Sequence, residues 1–423
     1  MKLQKIISKL QKLHPKEIDL SLNRVKNLCK KLGNPQNDLS CISVIGTNGK
    51  FSTIQALFSI LKQANIKCNI YTSPHVQKIN ERFIFNNMQI SDNQLFKLLE
   101  EVESINNGEE ITYFEILTAA FFYKAVNFKK NISIIESGLF HRFDATNILK
   151  KNLTSIITAI GMDHLDWLPK NERTIDKIIY EKTSKLLNSN IVISEQKNKN
   201  IINKIKKNLR NNSSKKIFFN ESFSYNLTKN EYFYYEDKFG GLKLPMPNLK
   251  GEFQISNIAT AIATVRNLNN INVSNANIKM GISKIKLVAR LQEIYSGKLK
   301  NLVKKNRLYI DGSHNPLGAE VLSKFLEKIK SNKHLIIGMM LNKNHEEYIS
   351  HFKNKVKSIT TIDIPNQVNS IKGDDLKKKI KIIKKVNYKK TIESALKSLD
   401  LNDNDIIIIT GSLYLAGEIL NRN

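Results

Sequence analysis

The sequence predicts a two-domain α/β protein in which the strands of mostly parallel sheets alternate with helices. Short runs of Ile and Val, such as "CISVIG" at 41–46, are apolar throughout, as in strands that are buried on both faces. Segments with helical spacing, such as "TIQALFSILKQA" at 53–64, separate these runs. The length of 423 residues exceeds what one ordinary core accommodates, which favours two domains.

The alternation of strands and helices extends through most of the chain. The predicted strands are 41–46, 68–73, 132–137, 154–161, 190–194, 308–313, 334–340, 358–364 and 405–412. The predicted helices include 53–64, 114–126, 255–268 and 315–330.

One stretch, 195–245, departs from this alternation. It is rich in Lys and Asn and then in aromatic residues, which predicts a small antiparallel insertion. A polar, irregular stretch at 292–306 precedes a second series of strands and helices. We therefore predict a larger domain at 1–293 and a smaller α/β domain at 294–423.

The composition describes a globular protein with an unusual charge. Hydrophobic residues make up 41% and charged residues 25%, while the net charge is +29. Such a charge suits nucleic acid, a membrane surface or anionic substrates. Because Lys is spread along the whole chain without a nucleic-acid-binding motif, we expect solvated faces and no nucleic-acid or membrane partner.

The cysteines and the N-terminal stretch indicate the compartment. Cys29, Cys41 and Cys68 form no CxxC pair and are odd in number, which fits reduced thiols better than disulfides or a zinc site. The first 20 residues contain no unbroken apolar run, so we expect neither a signal peptide nor an anchor. We expect a cytoplasmic protein.

The stretch "VIGTNGKFST" at 44–53 is the first candidate site. A predicted strand leads into a turn with Gly46 and Gly49, then Lys50, then a helical pattern. Backbone N–H groups at such a helix start attract phosphate oxygens, and a lysine there meets the outer phosphates. The stretch lacks the full P-loop pattern, and Phe51 stands where a small residue is usual, so an ordinary strand–turn–helix junction stays an alternative.

Polar residues follow other predicted strands. Ser73, Glu136 and His164 each come directly after one, and the carboxyl ends of parallel strands meet at one edge of a sheet. A hydroxyl, a carboxylate and an imidazole beside phosphates suit Mg²⁺, which takes few protein ligands. Taken singly, each has an ordinary explanation as a helix cap, a surface ion pair or a turn residue.

Four further residues have side chains that suit a nucleotide site but are weak signals alone. Lys182, in "EKTS", reads by itself as one of many solvated lysines. The others are Asn257 in "FQISN", Arg290 in "VARLQ" and Asp311 in "DGSHNP".

Together and in this order, these motifs resemble the bifunctional dihydrofolate synthase/folylpolyglutamate synthases of the Mur ligase superfamily. The resemblance runs nearly end to end. Its most specific segments are "TSPH" with "NER" (72–82), "DATN" (144–147) and "TGSLYL" (410–415). It also covers "DLSLNRV" (19–25), "YFEILTAAFF" (113–122), "GMDHLDWL" (161–168) and "IIGMMLNKN" (336–344).

The resemblance implies a P-loop-type ATPase domain, a Rossmann-like C-terminal glutamate-ligase domain and an ATP-dependent amide ligase. Such an enzyme phosphorylates a substrate carboxylate with ATP, and the amine of L-glutamate then attacks the acyl phosphate. The substrates implied are dihydropteroate and folates, with Mg²⁺ at two sites and a monomeric enzyme. "DLSL" and "HLDW" favour the branch that uses dihydropteroate.

Residue roles follow from the resemblance by position. The catalytic residues implied are Lys50, His164 and Lys182. The nucleotide contacts implied are Gly46, Thr47, Asn48, Gly49, Lys50, Phe51, Ser52, Asn257, Arg290 and Asp311. The metal ligands implied are Ser73, Glu136, His164 and Lys182, the last as a carbamate. The pterin contacts implied are Asp19, Leu20, Ser21, Leu22, Thr112, Tyr113, Phe114, Phe143, Asp144 and Ala145.

The chain departs from the pattern of this family at several positions. Phe51, Phe140 and His141 replace glycines, Asn344 replaces an aspartate, and the spacing from His164 to Lys182 is longer. We predict that Phe51 opens a helix with negative φ, that Phe51 and Phe140 compensate for each other in packing, and that His141 is a polar loop residue rather than a substrate contact.

Three other functions remain as alternatives to the bifunctional ligase. The enzyme could perform polyglutamylation only, the chain could be a nucleic-acid-binding P-loop ATPase, or it could be a non-catalytic relative that has lost glycines. Retention of Lys50, Glu136, His164 and Asp311 argues against the last alternative.

Overall fold

The computed structural model describes residues 2–16, 19–228, 232–381, 383 and 385–423. Contacts divide the chain into two compact units. The first comprises 1–160, 172–248 and 255–285, and the second 161–171, 249–254 and 286–423. The domain boundary between 293 and 294 stays a prediction.

The elements alternate as the sequence predicts. The strands of the first unit are β1 (Ser40–Ile45), β2 (Cys68–Tyr71), β3 (Phe83–Phe85), β4 (Met88–Gln89), β5 (Ile132–Glu136), β6 (Thr154–Ile157), β7 (Asn190–Ile193), β8 (Lys216–Phe218), β9 (Phe223–Leu227), β10 (Tyr232–Asp237) and β11 (Leu242–Pro245). Those of the second are β12 (Gln292–Ile294), β13 (Arg307–Ile310), β14 (Lys333–Ile337), β15 (Ser358–Thr361), β16 (Val386–Tyr388) and β17 (Ile406–Thr410).

The α-helices, in chain order, are α1 (Lys2–Leu10), α2 (Asn23–Lys31), α3 (Lys50–Gln63), α4 (Asp92–Asn106), α5 (Tyr113–Ala125), α6 (Ile175–Thr183), α7 (Lys199–Asn208), α8 (Phe253–Arg266), α9 (Asn275–Ser283), α10 (Lys298–Asn301), α11 (Pro316–Glu327), α12 (His345–Ser350), α13 (Gly373–Lys379), α14 (Ile392–Lys397) and α15 (Leu413–Arg422). Among the described helices, none is long and apolar enough to cross a bilayer.

The main sheet of the first unit places β1 at its centre. Within the described residues it has eight strands in the order β4-β3-β2-β5-β1-β6-β7-β8. β1 pairs in parallel with both β5 and β6, and every residue of β1 after Ser40 is buried. The carboxyl ends of β1, β5 and β6 therefore open onto the same edge of the sheet.

The second unit repeats the parallel arrangement. Its described strands form a six-stranded sheet in the order β12-β13-β17-β14-β15-β16, and β12 alone runs antiparallel to its neighbour there. The mixed α/β fold class predicted from the sequence is thus confirmed.

The prediction for 195–245 is wrong in its first half. The Lys- and Asn-rich residues form α7, which buries Ile201 and Ile205 one turn apart and leaves most of its lysines in solvent. β8 then adds a parallel strand beside β7. The antiparallel insertion, a sheet of β11, β10 and β9 in the described residues, starts only at Phe223. The sequence did not reveal α7 because many lysines surround an apolar stripe of only two buried residues.

A close contact between α3 and α9 fixes the helix that follows β1. Gly281 on α9 lies so near α3 that a Cβ added to it would come within 2.6 Å of the Ile60 Cα. The Ser59 hydroxyl donates a hydrogen bond to the Gly281 carbonyl at 2.7 Å. Because the opposing atoms belong to backbone, this contact has no room for a methyl group.

We expect Gly281→Ala to lower the free energy of unfolding by about 1–3 kcal/mol, although helix propensity alone favours Ala by about 1 kcal/mol. Urea unfolding measures the change. Gly241→Ala is the matched control, since its new Cβ would have no atom closer than 3.8 Å, and it should change the stability by less than about 0.5 kcal/mol. A Gly281→Ala variant as stable as the wild type would contradict the packing argument.

Candidate nucleotide site and its surroundings

The loop between β1 and α3 contacts the residues that follow β6 and the start of α8. The backbone N–H groups of Thr47 and Asn48 both donate to the Ala159 carbonyl, at 2.9 and 3.1 Å. Gly46 has φ +155°, and a Cβ there would stand 1.9 Å from the Thr158 hydroxyl oxygen. A side chain at position 46 would therefore force the loop away from the end of β6.

Gly49 ends the loop and directly precedes α3 as its N-cap. Its φ of +90° lies in the left-handed region that favours glycine, and an added Cβ would stand 2.4 Å from the Asn257 amide oxygen. Asn257, on α8, thus lies beside the loop, and its role as a nucleotide contact stays a prediction. Phe51 is the second residue of α3, so the prediction of a helical backbone there is confirmed.

Two ammonium groups share the carbonyl oxygen of Gly46. The Lys50 Nζ donates to it at 3.2 Å and to the Thr47 carbonyl at 3.3 Å. The Lys182 Nζ, from α6, donates to it at 2.9 Å, and only 2% of Lys182 is exposed. Lys182 is therefore not one of the solvated lysines: it is buried against the loop.

Glu136 supplies negative charge beside these lysines. It is the last residue of β5 and is buried, with an Oε1 3.9 Å from the Lys50 Nζ. Its Oε2 accepts the Ser73 backbone N–H at 3.2 Å. Ser73 and Glu136, two of the predicted metal ligands, thus lie side by side, with hard oxygen donors of the kind that Mg²⁺ prefers.

The segment 137–147 is held by its own polar side chains. Asp144 accepts the Leu139 N–H at 2.8 Å and both the N–H and the hydroxyl of Thr146, at 3.0 and 2.5 Å. His141 Nδ1 lies 3.0 Å from the Ser137 hydroxyl, and His141 is buried. His141 therefore stabilises this segment from within.

Phe140 stands in the left-handed region, with φ +56°. A non-glycine residue there costs on the order of 1–2 kcal/mol, which explains why a glycine suits this position. The Phe140 ring is buried under Lys182, whose Nζ lies 5.6 Å from the ring centroid. The attraction between the cation and the ring offsets part of the backbone strain.

Arg142 ties the same segment to α6, a contact that the sequence did not reveal. Its guanidinium makes two hydrogen bonds to the Glu181 carboxylate, at 2.7 and 2.8 Å, next to Lys182. It also stacks 4.3 Å from the ring centroid of Phe143, a predicted pterin contact that is 38% exposed. The longer spacing between His164 and Lys182 has therefore not displaced Lys182 from this segment.

The remaining predicted pterin contacts lie at the start of α5 and just before α2. Thr112 caps α5 by accepting the Glu115 N–H at 3.3 Å. Phe114 stacks on Tyr71 with centroids 6.0 Å apart, and its ring is so close to Gly138 that a Cβ there would meet it at 2.7 Å. Phe114 is thereby brought to the 137–147 segment, while Tyr113 and the 19–22 segment are half-buried.

In the second unit, Arg290 and Asp311 are neighbours, and their role as nucleotide contacts stays a prediction. Asp311 is buried and accepts the N–H groups of Leu291 and Ser313, at 2.9 and 3.0 Å. A Cβ on Gly312 would stand 3.0 Å from the Arg290 Nη1. The pairing of β12 with β13 brings the two residues together.

His164, also in the second unit, lies beside an acidic centre that the sequence reasoning missed. Asp163 is buried and accepts hydrogen bonds from Lys343 and Asn315, both at 2.8 Å. Burial alone would raise the pKa of Asp163, but His164, His314 and Lys343 hold it well below its usual range. The "GMDH" motif contained this signal, since Asp163 directly precedes His164.

The described residues contain no group of three or more His, Cys, Asp or Glu side chains that could hold a metal ion by themselves. Ser73 and Glu136 are few ligands, so a metal there needs water and phosphate oxygens as well. This is the usual situation for Mg²⁺ bound together with a nucleotide.

The buried His141 makes stability depend on pH. Burial first, and then the charge of Lys182, lower the pKa of His141 from 6.5 to about 3. Between these values the unfolded chain binds the proton and the folded chain does not, so stability falls as the pH drops below 6.5. Lowering the pH from 7 to 5 should therefore reduce the free energy of unfolding by about 2 kcal/mol through this residue.

We expect His141→Asn, which keeps a polar atom near the Nδ1 position, to remove that part of the pH dependence. Urea unfolding of both proteins at pH 7 and pH 5 measures it. The other histidines contribute equally to the two proteins and cancel. Identical losses of stability on acidification would show that His141 does not stay neutral.

The compensation between Phe51 and Phe140 stays a prediction, and a double-mutant cycle addresses it. If the two rings share one packing environment, Phe51→Gly and Phe140→Gly should couple by about 0.5 kcal/mol or more in the free energy of unfolding. The single and double variants are compared by urea unfolding and by activity. Strictly additive effects would contradict the proposed compensation between Phe51 and Phe140.

Residues 296–422 match the family described as dihydrofolate synthetase, C-terminal domain. A dihydrofolate synthase/folylpolyglutamate synthase from Bacillus subtilis is 27% identical over 424 aligned positions, which cover 95% of this chain and 94% of that protein.

Solved structures share the fold. An Escherichia coli FolC structure in complex with DHPP and ADP has a TM-score of 0.85 at 24% identity, covering 99% of this chain and 97% of that one. A bifunctional folylpolyglutamate synthase/dihydrofolate synthase from Yersinia pestis, complexed with AMPPNP and a Mn ion, has the same TM-score at 22% identity, with the same coverage of both chains. The resemblance seen in the motifs is thus confirmed: over nearly its whole length, the chain is similar to dihydrofolate synthase/folylpolyglutamate synthases.

Proposed function

We propose that the protein is an ATP-dependent ligase that joins L-glutamate to dihydropteroate, forming dihydrofolate, and extends folates with further glutamates. The observation that carries this is the loop 46–49, where Lys50 and Lys182 converge on one carbonyl beside the buried Glu136. The Lys50 cation, a helix start and the Glu136 carboxylate in one place suit a nucleotide triphosphate with a divalent cation.

The residues of the first unit fit the phosphates of ATP. Gly46 and Gly49 leave room that any side chain would fill, so the backbone can approach an anion closely. We assign phosphate contacts to Gly46, Thr47, Asn48, Gly49, Lys50, Phe51 and Ser52, with Asn257 as a further nucleotide contact. In the second unit we assign nucleotide contacts to Arg290 and Asp311.

In the first unit we assign magnesium ligation to Ser73 and Glu136, with a second metal at Lys182. His164 lies in the second unit, and its role as a metal ligand stays a prediction. The ion supplies positive charge for the transferring phosphoryl group. We propose a carbamate on Lys182. A carbamate keeps one N–H on Nζ, so the hydrogen bond to the Gly46 carbonyl survives the modification.

The chemistry proceeds in two steps. The γ-phosphate of ATP passes to the substrate carboxylate, giving an acyl phosphate and ADP; the glutamate amine then attacks the acyl carbon, and inorganic phosphate leaves. Lys50 orients the phosphates and offsets the charge that develops on them. The pterin is assigned to 19–22, 112–114 and 143–145, where exposed Phe143 offers a ring for stacking.

The two parts of the chain divide this work. We assign ATP binding, apart from the contact at Asp311, to a domain at 1–293 and glutamate ligation to a domain at 294–423. We further propose a monomer that acts in a reducing cytoplasm, consistent with three free, buried thiols. Burial raises the pKa of Cys29 and of Cys68 to about 12, which keeps both thiols protonated and unreactive.

We expect the purified chain, with ATP, Mg²⁺ and L-glutamate, to convert dihydropteroate to dihydrofolate and to lengthen tetrahydrofolate, releasing one ADP per amide bond. Product mass and ADP release measure both. Lys50→Met should lower kcat/KM at least about 100-fold by removing the charge on the phosphates. Lys62→Met, at the exposed end of the same helix, is the matched control and should leave it unchanged.

The assay also separates the alternatives. Turnover with tetrahydrofolate but not with dihydropteroate would leave polyglutamylation as the only activity. ATP hydrolysis stimulated by nucleic acid, without amide formation, would overturn the ligase assignment.

A further inference from the structure

Arg24 joins two segments that are far apart in sequence. It lies on α2, and its Nε and Nη2 donate to the two oxygens of the Glu115 carboxylate, at 2.9 and 3.2 Å. Its Nη1 donates to the Asp19 carboxylate at 2.8 Å, and its Nη2 donates to the Asp19 main-chain carbonyl at 2.9 Å. We call this set of contacts among Asp19, Arg24 and Glu115 the Arg24 bridge.

Each end of the bridge reaches a segment assigned to the pterin. Glu115 also accepts the Thr112 N–H at 2.8 Å, so the carboxylate that binds Arg24 sets the start of α5, where Thr112 and Phe114 lie. At the other end, Arg24 holds both the side chain and the main chain of Asp19, which precedes Leu20, Ser21 and Leu22. Residues 19–21 lie outside any helix or strand, so this anchor contributes directly to their position.

Burial and charge make the guanidinium hard to replace. Glu115 is only 3% exposed, so losing Arg24 would leave a buried carboxylate with much less compensation. The hydrogen bond from Arg24, more than any other contact, lowers the pKa of Asp19 and keeps that carboxylate ionised. A lysine carries one compact ammonium group and cannot make a forked contact to Glu115 while also holding Asp19.

The packing of α2 does not depend on the bridge. Val25, Leu28 and Cys29 on α2 are fully or nearly fully buried, and they share one apolar core with Ile116 and Leu117 of α5. These contacts hold the two helices together through burial of apolar surface. The Arg24 bridge therefore positions the segments 19–22 and 112–114, whereas apolar packing holds α2 against α5.

We propose that Arg24 is a positioning residue for the pterin substrate, setting the spacing between the 19–22 and 112–114 segments. This inference rests on the proposed function, because that function assigns both segments to the pterin. Arg24 acts through Asp19 and Glu115, and the substrate affected is the one that bears the pterin ring, not ATP or glutamate.

The experiment compares Arg24→Lys with the wild type in the full chain. We expect the KM for dihydropteroate to rise about 10-fold or more, equivalent to about 1.4 kcal/mol, while the KM values for ATP and L-glutamate change less than about 2-fold. A loss of general stability would not separate the substrates in this way. Calorimetric titration with dihydropteroate alone should show the same weakening.

Arg266→Lys is the matched control. Arg266 lies in the same unit, contacts Asp237 at 2.9 Å and donates to two main-chain carbonyls, those of Phe239 and Gly240. It is thus an arginine of the same kind, at a place that the proposed function does not use. We expect its replacement to lower the thermal midpoint and to leave the KM for dihydropteroate unchanged.

A second variant keeps the test decisive if Arg24→Lys does not fold. Asp19→Asn removes the charge from the more exposed arm of the bridge but leaves the main-chain contact, and should raise the same KM by a smaller factor. A folded Arg24→Lys or Asp19→Asn variant with a wild-type KM for dihydropteroate would overturn this inference and leave the proposed function standing. A wild-type protein that binds and uses neither dihydropteroate nor tetrahydrofolate would overturn the proposed function and this inference together.

Discussion

The close approach of the loop 46–49 to β6 and α8 is the constraint on which the rest of the site depends. Thr47 and Asn48 bond to the Ala159 carbonyl, and the two glycines face Thr158 and Asn257 at distances that exclude a Cβ. With the loop held there, the carbonyl of Gly46 is presented to Lys50 and Lys182. Main-chain geometry therefore fixes the acceptor that the Lys50 and Lys182 side chains share.

Much of the fold was predictable from the sequence, because burial on both faces of a parallel sheet leaves an unmistakable apolar run. The strands around Val44, Ile134 and Ile408 are of this kind. The proximity of Ser73 and Glu136 was predictable for a related reason, since Glu136 ends β5 and Ser73 follows the neighbouring strand β2. Helix α7 was missed because lysines surround its short apolar stripe, and the composition suggested an irregular segment.

The parts of the site that could not be predicted are those that depend on contacts between distant segments. Nothing near Arg24 in the sequence indicates Glu115, and nothing near Arg142 indicates Glu181. The burial of Lys182 is another example: one lysine among many differs only in what surrounds it after folding. The left-handed backbone of Phe140 was also hidden, since only a glycine at this position would have suggested it.

The role of the Gly46 carbonyl has a consequence for how this site tolerates sequence change. The acceptor for Lys50 and Lys182 is a main-chain oxygen, which every amino acid possesses. No substitution at position 46 can remove it chemically; a substitution acts only by displacing the loop. Substitutions at position 46 are therefore limited by the space around the loop, whereas substitutions at Lys50, Lys182 and Glu136 are limited by the charge that the site needs.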